Sequence, residues 1–147
     1  MDLELAQPAT AVPVAPIAAA VAAALIPAIG QPWPGCAGVY AGVSRGEDGA
    51  PDAHLVLLDV LPGASLDWSA AMAWSEGLGD GARLPTRFEA ALLYAHLRDE
   101  FRKDDWYWTS TQYSESGAWY QDLYYGYQYY DVKKYEAHAR AVRRFPA

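Results

Sequence analysis

The sequence predicts an α+β domain of antiparallel strands and two helices, with an Ala/Pro-rich arm ahead of them. Three observations lead there. Strand-like runs open and close the region from Gly38 onward, apolar side chains at three- and four-residue spacing fall between them, and the composition changes abruptly at Gln31-Pro-Trp-Pro-Gly35. With 147 residues and a 52% hydrophobic share, there is room for one globular unit and enough apolar material for its core.

The arm, residues 1–32, is rich in Ala, Pro and Val, and its first thirty residues contain no aromatic side chain. Residues 17–26 have the composition of a short helix that Pro27 would end. Two uses fit equally: packing on a neighbouring subunit, which would make a homo-oligomer through the arm, or a loose linker. The apolar run 17–29 is shorter than the roughly twenty residues a bilayer span needs and contains Pro27, so no membrane span is expected. The opening MDLELA is acidic where a secretory signal would be basic, which points to a cytoplasmic or virion-associated protein.

Residues 33–147 read as the domain proper. From Gly38 to Val60, two aliphatic runs flank a Gly/Asp/Pro-rich turn, a hairpin with Glu47-Asp48-Gly49 at its tip. Leu61-Pro62-Gly63 makes the next turn. Ser65 or Asp67 then caps a helix that carries Trp68, Ala71, Met72 and Ser75 near one face and is closed by Gly77 and Gly79. Thr86-Arg-Phe-Glu89 has the capping-box spacing and opens a second helix with Phe88, Leu92, Leu93, Leu97 and Phe101. Trp106 to Thr111 alternates as a strand, and the tyrosine-rich run and residues 137–145 supply two or three more. The closing KKYEAHARAVRR is locally basic and reads as an edge strand with a solvated, charged face. Trp68, Trp74, Trp106, Trp108 and Trp119 are expected to fill the core between helices and sheet.

Eight of the eleven tyrosines lie in YSESGAWYQDLYYGYQYYDVKKY, residues 113–135, with almost no aliphatic residue among them. A core would fill the same volume with Leu, Ile, Val and Phe, because a buried phenol must find a partner for its hydroxyl. Most of these rings are therefore expected to face water. Tyrosine offers a large, rigid contact area with a polar tip, as binding loops require. The candidate ligand-binding residues are Tyr113, Tyr120, Asp122, Tyr124, Tyr125, Tyr127, Tyr129, Tyr130, Asp131 and Tyr135. The competing use of the same residues is an aromatic β-face.

Other chemistry has little to stand on in the sequence. A net charge of −7 argues against a nucleic-acid partner. The single cysteine, Cys36, allows neither an intramolecular disulfide nor a Cys-rich metal cage. His54, His96 and His138 fall in three different elements without a nucleophile elbow, so no catalytic triad is expected. Gly42, Gly46 and Gly49 lack the context of a phosphate-binding loop, and the Ser110 and Thr111 hydroxyls are expected to satisfy backbone groups at a strand end. Asp99, Glu100, Asp104 and Asp105 read as a helix end running into a solvated loop rather than a metal cluster. The expectation is a protein that is not an enzyme and carries no cofactor.

Arg83-Leu-Pro-Thr86 before a helix, Trp106-x-Trp108-x-Ser110, Ala118-Trp119, Gly126 in a later turn and Arg140-Ala-Val-Arg143 follow one another in an order that resembles small phage and prophage domains of the C-type lectin fold. The resemblance covers roughly residues 36–145. Variable proteins of diversity-generating retroelements, which include phage receptor-binding tips, share that fold, and formylglycine-generating enzymes share it more distantly. The resemblance implies a non-enzymatic module whose Tyr-rich face binds a protein or glycan surface. A structural phage or prophage accessory domain that oligomerises through this face is the alternative. Formylglycine chemistry would need a pair of reactive cysteines near the C-terminal end, and Cys36 stands alone and far upstream. Calcium-dependent sugar capture would need Glu-Pro-Asn and Trp-Asn-Asp type loops, and the chain contains no asparagine. Retroelement diversification replaces template adenines and can turn an Asn codon into a Tyr codon. Tyr124, Tyr125, Tyr127, Tyr129 and Tyr130, with Asp131, would then be the varied positions. The resemblance also implies that Arg140 and Arg143 are scaffold residues that tie loop carbonyls or a carboxylate to the final strand.

Overall fold

The computed structural model describes residues 25–147. The arm helix expected at 17–26 lies outside the described residues except for Leu25 and Ile26, which are an exposed turn and bend.

The chain is α+β, with two helices and two three-stranded antiparallel sheets. The first sheet joins β1 (Gly38–Ser44), β2 (Ala53–Leu58) and β6 (Val142–Pro146), in that order. The second is a meander of β3 (Trp106–Gln112), β4 (Gly117–Asp122) and β5 (Gln128–Val132). Helices α1 (Trp68–Gly77) and α2 (Arg87–Leu97) lie between them in sequence, α2 running into a 3-10 turn at Arg98–Glu100.

Local chemistry sets the element ends. Asp48 (φ 53°) and Gly49 (φ 82°) take left-handed backbone at the expected hairpin tip, the twist that suits tightly paired strands. The Asp67 carboxylate caps α1 by accepting the Ala70 N–H at 2.8 Å. Both halves of the capping box form at α2: the Thr86 hydroxyl accepts from Glu89 N–H, and the Glu89 carboxylate accepts from Thr86 N–H.

Two cores follow from the two sheets. Leu93 and Leu97 of α2 pack on Ala41, Leu55, Leu57 and Val142 of the first sheet. Four successive buried residues, Leu55–Leu58, mark β2 as the covered central strand. On the second sheet, Trp108 and Ala118 pack with Ala71 of α1 and with Leu84, Ala137 and Ala139. Each fully buried Leu contributes about 1.5–3 kcal/mol.

Residues 137–145 do not form one strand. Only Val142–Pro146 pairs as β6, because the preceding residues cross between the sheets: the His138 carbonyl accepts from Trp108 N–H and the Ala141 carbonyl accepts from Leu58 N–H. β6 is an edge strand as expected, but its charged face is only partly solvated. Buried Arg140 donates to the Glu100 and Leu58 carbonyls, and Arg143 donates to the Asp80 carbonyl. Arg144 donates to Glu89 at 2.7 Å, where Arg83 also makes two hydrogen bonds. Burial alone would raise the Glu89 carboxyl, but these two arginines outweigh it and hold the group below the usual carboxylate range. One buried carboxylate thus ties the start of α2 to β6. No helix among the described residues is long and apolar enough to cross a membrane.

Candidate functional site

The tyrosines of residues 113–135 lie along β4 and β5 and in the turns at the two ends of these strands. Tyr113, Tyr124, Tyr125, Tyr127, Tyr129 and Tyr135 are exposed, from 50% at Tyr127 to 77% at Tyr125. Tyr120, Tyr130 and Asp131 are half-buried, and Asp122 is buried.

Register explains how the rings meet. Antiparallel pairing sets Trp119 opposite Tyr130 and Tyr120 opposite Tyr129. Tyr113 lies face to face with Tyr130, with centroids 3.5 Å apart and planes within 5°, and Tyr129 stacks on Tyr130 at 4.6 Å. The Tyr130 ring is therefore sandwiched between two others. Hydrogen bonding to Tyr113 and then to Tyr129 keeps its hydroxyl neutral, pushed up to about 12. Trp119 presents its edge to both Tyr113 and Tyr130. A second group lies nearer the hairpin tip, where Tyr124 and Tyr125 meet edge to face at 4.5 Å and Tyr127 approaches Tyr120 edge-on. Tyr120 leans inward on Trp106 at 4.4 Å, and burial first, then Tyr127, pushes its hydroxyl up to about 12.

Polar side chains behind the rings fix the loop. The buried Gln121 amide donates to the carbonyls of Asp122 (2.9 Å) and Gly126 (3.0 Å), and more weakly to that of Tyr127. The Asp122 carboxylate accepts the N–H groups of Tyr125 at 2.6 Å and Gly126 at 3.3 Å, so it holds the turn from inside. Gln128 donates to the Gln121 side chain and the Arg87 carbonyl, and Arg87 donates back to Gln128 at 3.2 Å. Gly126 has φ +87°, and a Cβ there would stand 2.5 Å from the Tyr94 ring.

Three of these parts were not foreseen from sequence. Trp119, expected in the core, is half-buried on the tyrosine face, with the Arg87 guanidinium 3.6 Å above its ring. The alternation from buried Ala118 carried that signal. Nothing in the sequence marked Arg87 or the Gln121–Gln128 pair, whose partners are more than forty residues away or inside a loop. Of the tryptophans, Trp108 is fully buried, whereas Trp68, Trp74 and Trp106 pack at the core margin. Thr111 accepts the Arg87 N–H, and Thr109 donates to the Trp119 carbonyl where β3 bulges away from β4.

The remaining titratable groups lie apart. His54 hydrogen-bonds Tyr40, His96 donates to the Ala41 carbonyl, and His138 meets Asp105 at 3.0 Å. Asp99 pairs with Lys103, which lowers its carboxyl, and Asp105 pairs with Arg102. Among the described residues, no three His, Cys, Asp or Glu side chains converge as metal ligands would. A scan against protein-family models finds no match for the chain, and no curated protein matches it significantly.

Proposed function

We propose that the chain is a non-enzymatic binding module of C-type lectin fold, related to the variable proteins of diversity-generating retroelements, whose tyrosine face grips a protein or glycan surface. One observation carries this reading. Six phenols between residues 113 and 135 stand at least half exposed, while the loop that bears three of them is held by buried amide and carboxylate hydrogen bonds. A segment that served only to fill volume would not leave its largest side chains in water. Each ring offers about 150–250 Å², so the cluster can anchor an interface of about 1,600 Å² in which a few aromatics dominate. Tyr124, Tyr125, Tyr127, Tyr129 and Tyr130, with Asp131, are the positions this reading assigns to variation.

A protein and glycan array screened with the full chain, with a variant carrying Ser at those five tyrosines, and with chelator present, tests the proposal. Binding should vanish in the variant while its cooperative thermal unfolding is retained, and should survive chelator and moderate salt. Binding that survives loss of all five rings would locate recognition elsewhere, and binding lost with chelator would point to a metal site. A variant that changes molar mass in light scattering, and not ligand capture, would make the face an oligomer interface. For the retroelement origin, the diagnostic is the locus itself: a near-copy of the 3′ coding end differing at adenines, beside a reverse transcriptase gene.

A further inference from the structure

We infer that the binding face continues past the tyrosines, across Arg87, to Phe88 and a groove between α2 and the β1–β2 hairpin, where it takes an apolar side chain of a protein partner flanked by a carboxylate. The inference rests on the binding role proposed above and extends that surface onto a second element. Phe88 is 65% exposed, at the second residue of α2, whereas Phe101 and Phe145 are half-buried. It borders a groove of about 440 Å³ whose walls are Val43, Ser44, Arg45, Glu47 and Leu92. That volume suits a side chain entering from a partner, and Val43 is itself 45% exposed on the opposite wall.

Continuity with the tyrosines is physical. The Arg87 guanidinium lies 3.6 Å above the Trp119 ring and 6.0 Å from the Phe88 centroid, and Trp119 in turn meets Tyr113 and Tyr130 edge-on. One unbroken line of rings and guanidinium therefore runs from Tyr129 to Phe88. Charge selects the neighbour of the apolar group. The Arg45 side chain is 91% exposed and, among the described residues, pairs with Asp52 at 3.7 Å, a carboxylate also engaged by the Gly46 N–H. Glu47, on the same rim, faces Arg144 at 4.0 Å. An incoming carboxylate thus meets a loosely held cation.

The test uses the full chain as bait for a random-peptide display library, followed by affinity measurement of the enriched peptides on four proteins: the parent, Phe88→Ser, Arg45→Glu, and the five-tyrosine Ser variant. Enriched peptides should carry an apolar residue beside Asp or Glu. Phe88→Ser should weaken them about tenfold and Arg45→Glu severalfold, with melting temperatures unchanged, while the tyrosine variant abolishes binding. Peptides lost with the tyrosines but indifferent to Phe88→Ser would overturn this inference and leave the tyrosine face standing. Peptides indifferent to both, or no enrichment at all, would overturn both. A change in molar mass on Phe88→Ser would make the occupant a second copy of the chain, which also overturns it.

Discussion

The two sheets have three antiparallel strands each and treat large side chains in opposite ways. In β1-β2-β6 the strands bury aliphatic residues against α2, and Arg140, Arg143 and Arg144 are tied to carbonyls or to Glu89. In β3-β4-β5 the strands are also covered, with Tyr107, Trp108 and Thr109 buried in succession, but the outer edge carries stacked phenols in water. What separates them is where the large side chains sit: aliphatic carbon lies under α2 in the first sheet, whereas phenols at the margin of the second reach water.

Substitutions should follow that division. The largest effect belongs to Trp108→Ala, which removes the one fully buried indole and should cost about 3–5 kcal/mol in a urea melt. Next comes Glu89→Gln, expected to cost about 2–3 kcal/mol; this is less than for a fully sequestered pair because Arg83 and Arg144 both reach solvent. The Glu89 carboxyl is lowered in the fold, so its contribution is present above the unfolded value of about 4.3 and is lost as pH falls through the lower folded value. The parent should therefore lose stability on the acid side more steeply than Glu89→Gln. Parallel acid limbs would show that the pair is worth nothing. Gly126→Ala should cost about 1–3 kcal/mol, since it meets the Tyr94 ring and strains a φ of +87°. Tyr125→Ala should change stability by no more than about 0.5 kcal/mol, and a loss matching that of Gly126→Ala would mean that the ring is part of the frame.

Local features were legible in the sequence. The hairpin tip, the Asp67 cap and the Thr86–Glu89 capping box all depend on residues within three or four positions of each other, and all form as expected. The exposure of six of these eight tyrosines was legible from composition, whereas Tyr120 and Tyr130 are half-buried against neighbouring rings. Long-range pairing was not. The bonds from Arg83 and Arg144 that make Glu89 structural, the Arg87 guanidinium over Trp119, and the split of residues 137–145 into a crossing segment and a short strand each depend on register between distant strands. Asp122 was grouped with the tyrosines by adjacency alone, and its carboxylate is consumed by the turn it anchors.

The order of pairing also bears on how the chain reaches this shape. β3, β4 and β5 are joined by short turns, so their ladder closes small loops and forms at little entropic cost. β2 and β6 pair residues more than eighty positions apart, a contact that only a nearly complete chain can make. The phenol-bearing meander should thus gain hydrogen-exchange protection ahead of β6 during refolding, and the late docking of β6 delivers Arg144 to Glu89. Changes confined to the tyrosines would then leave the slow step of folding untouched.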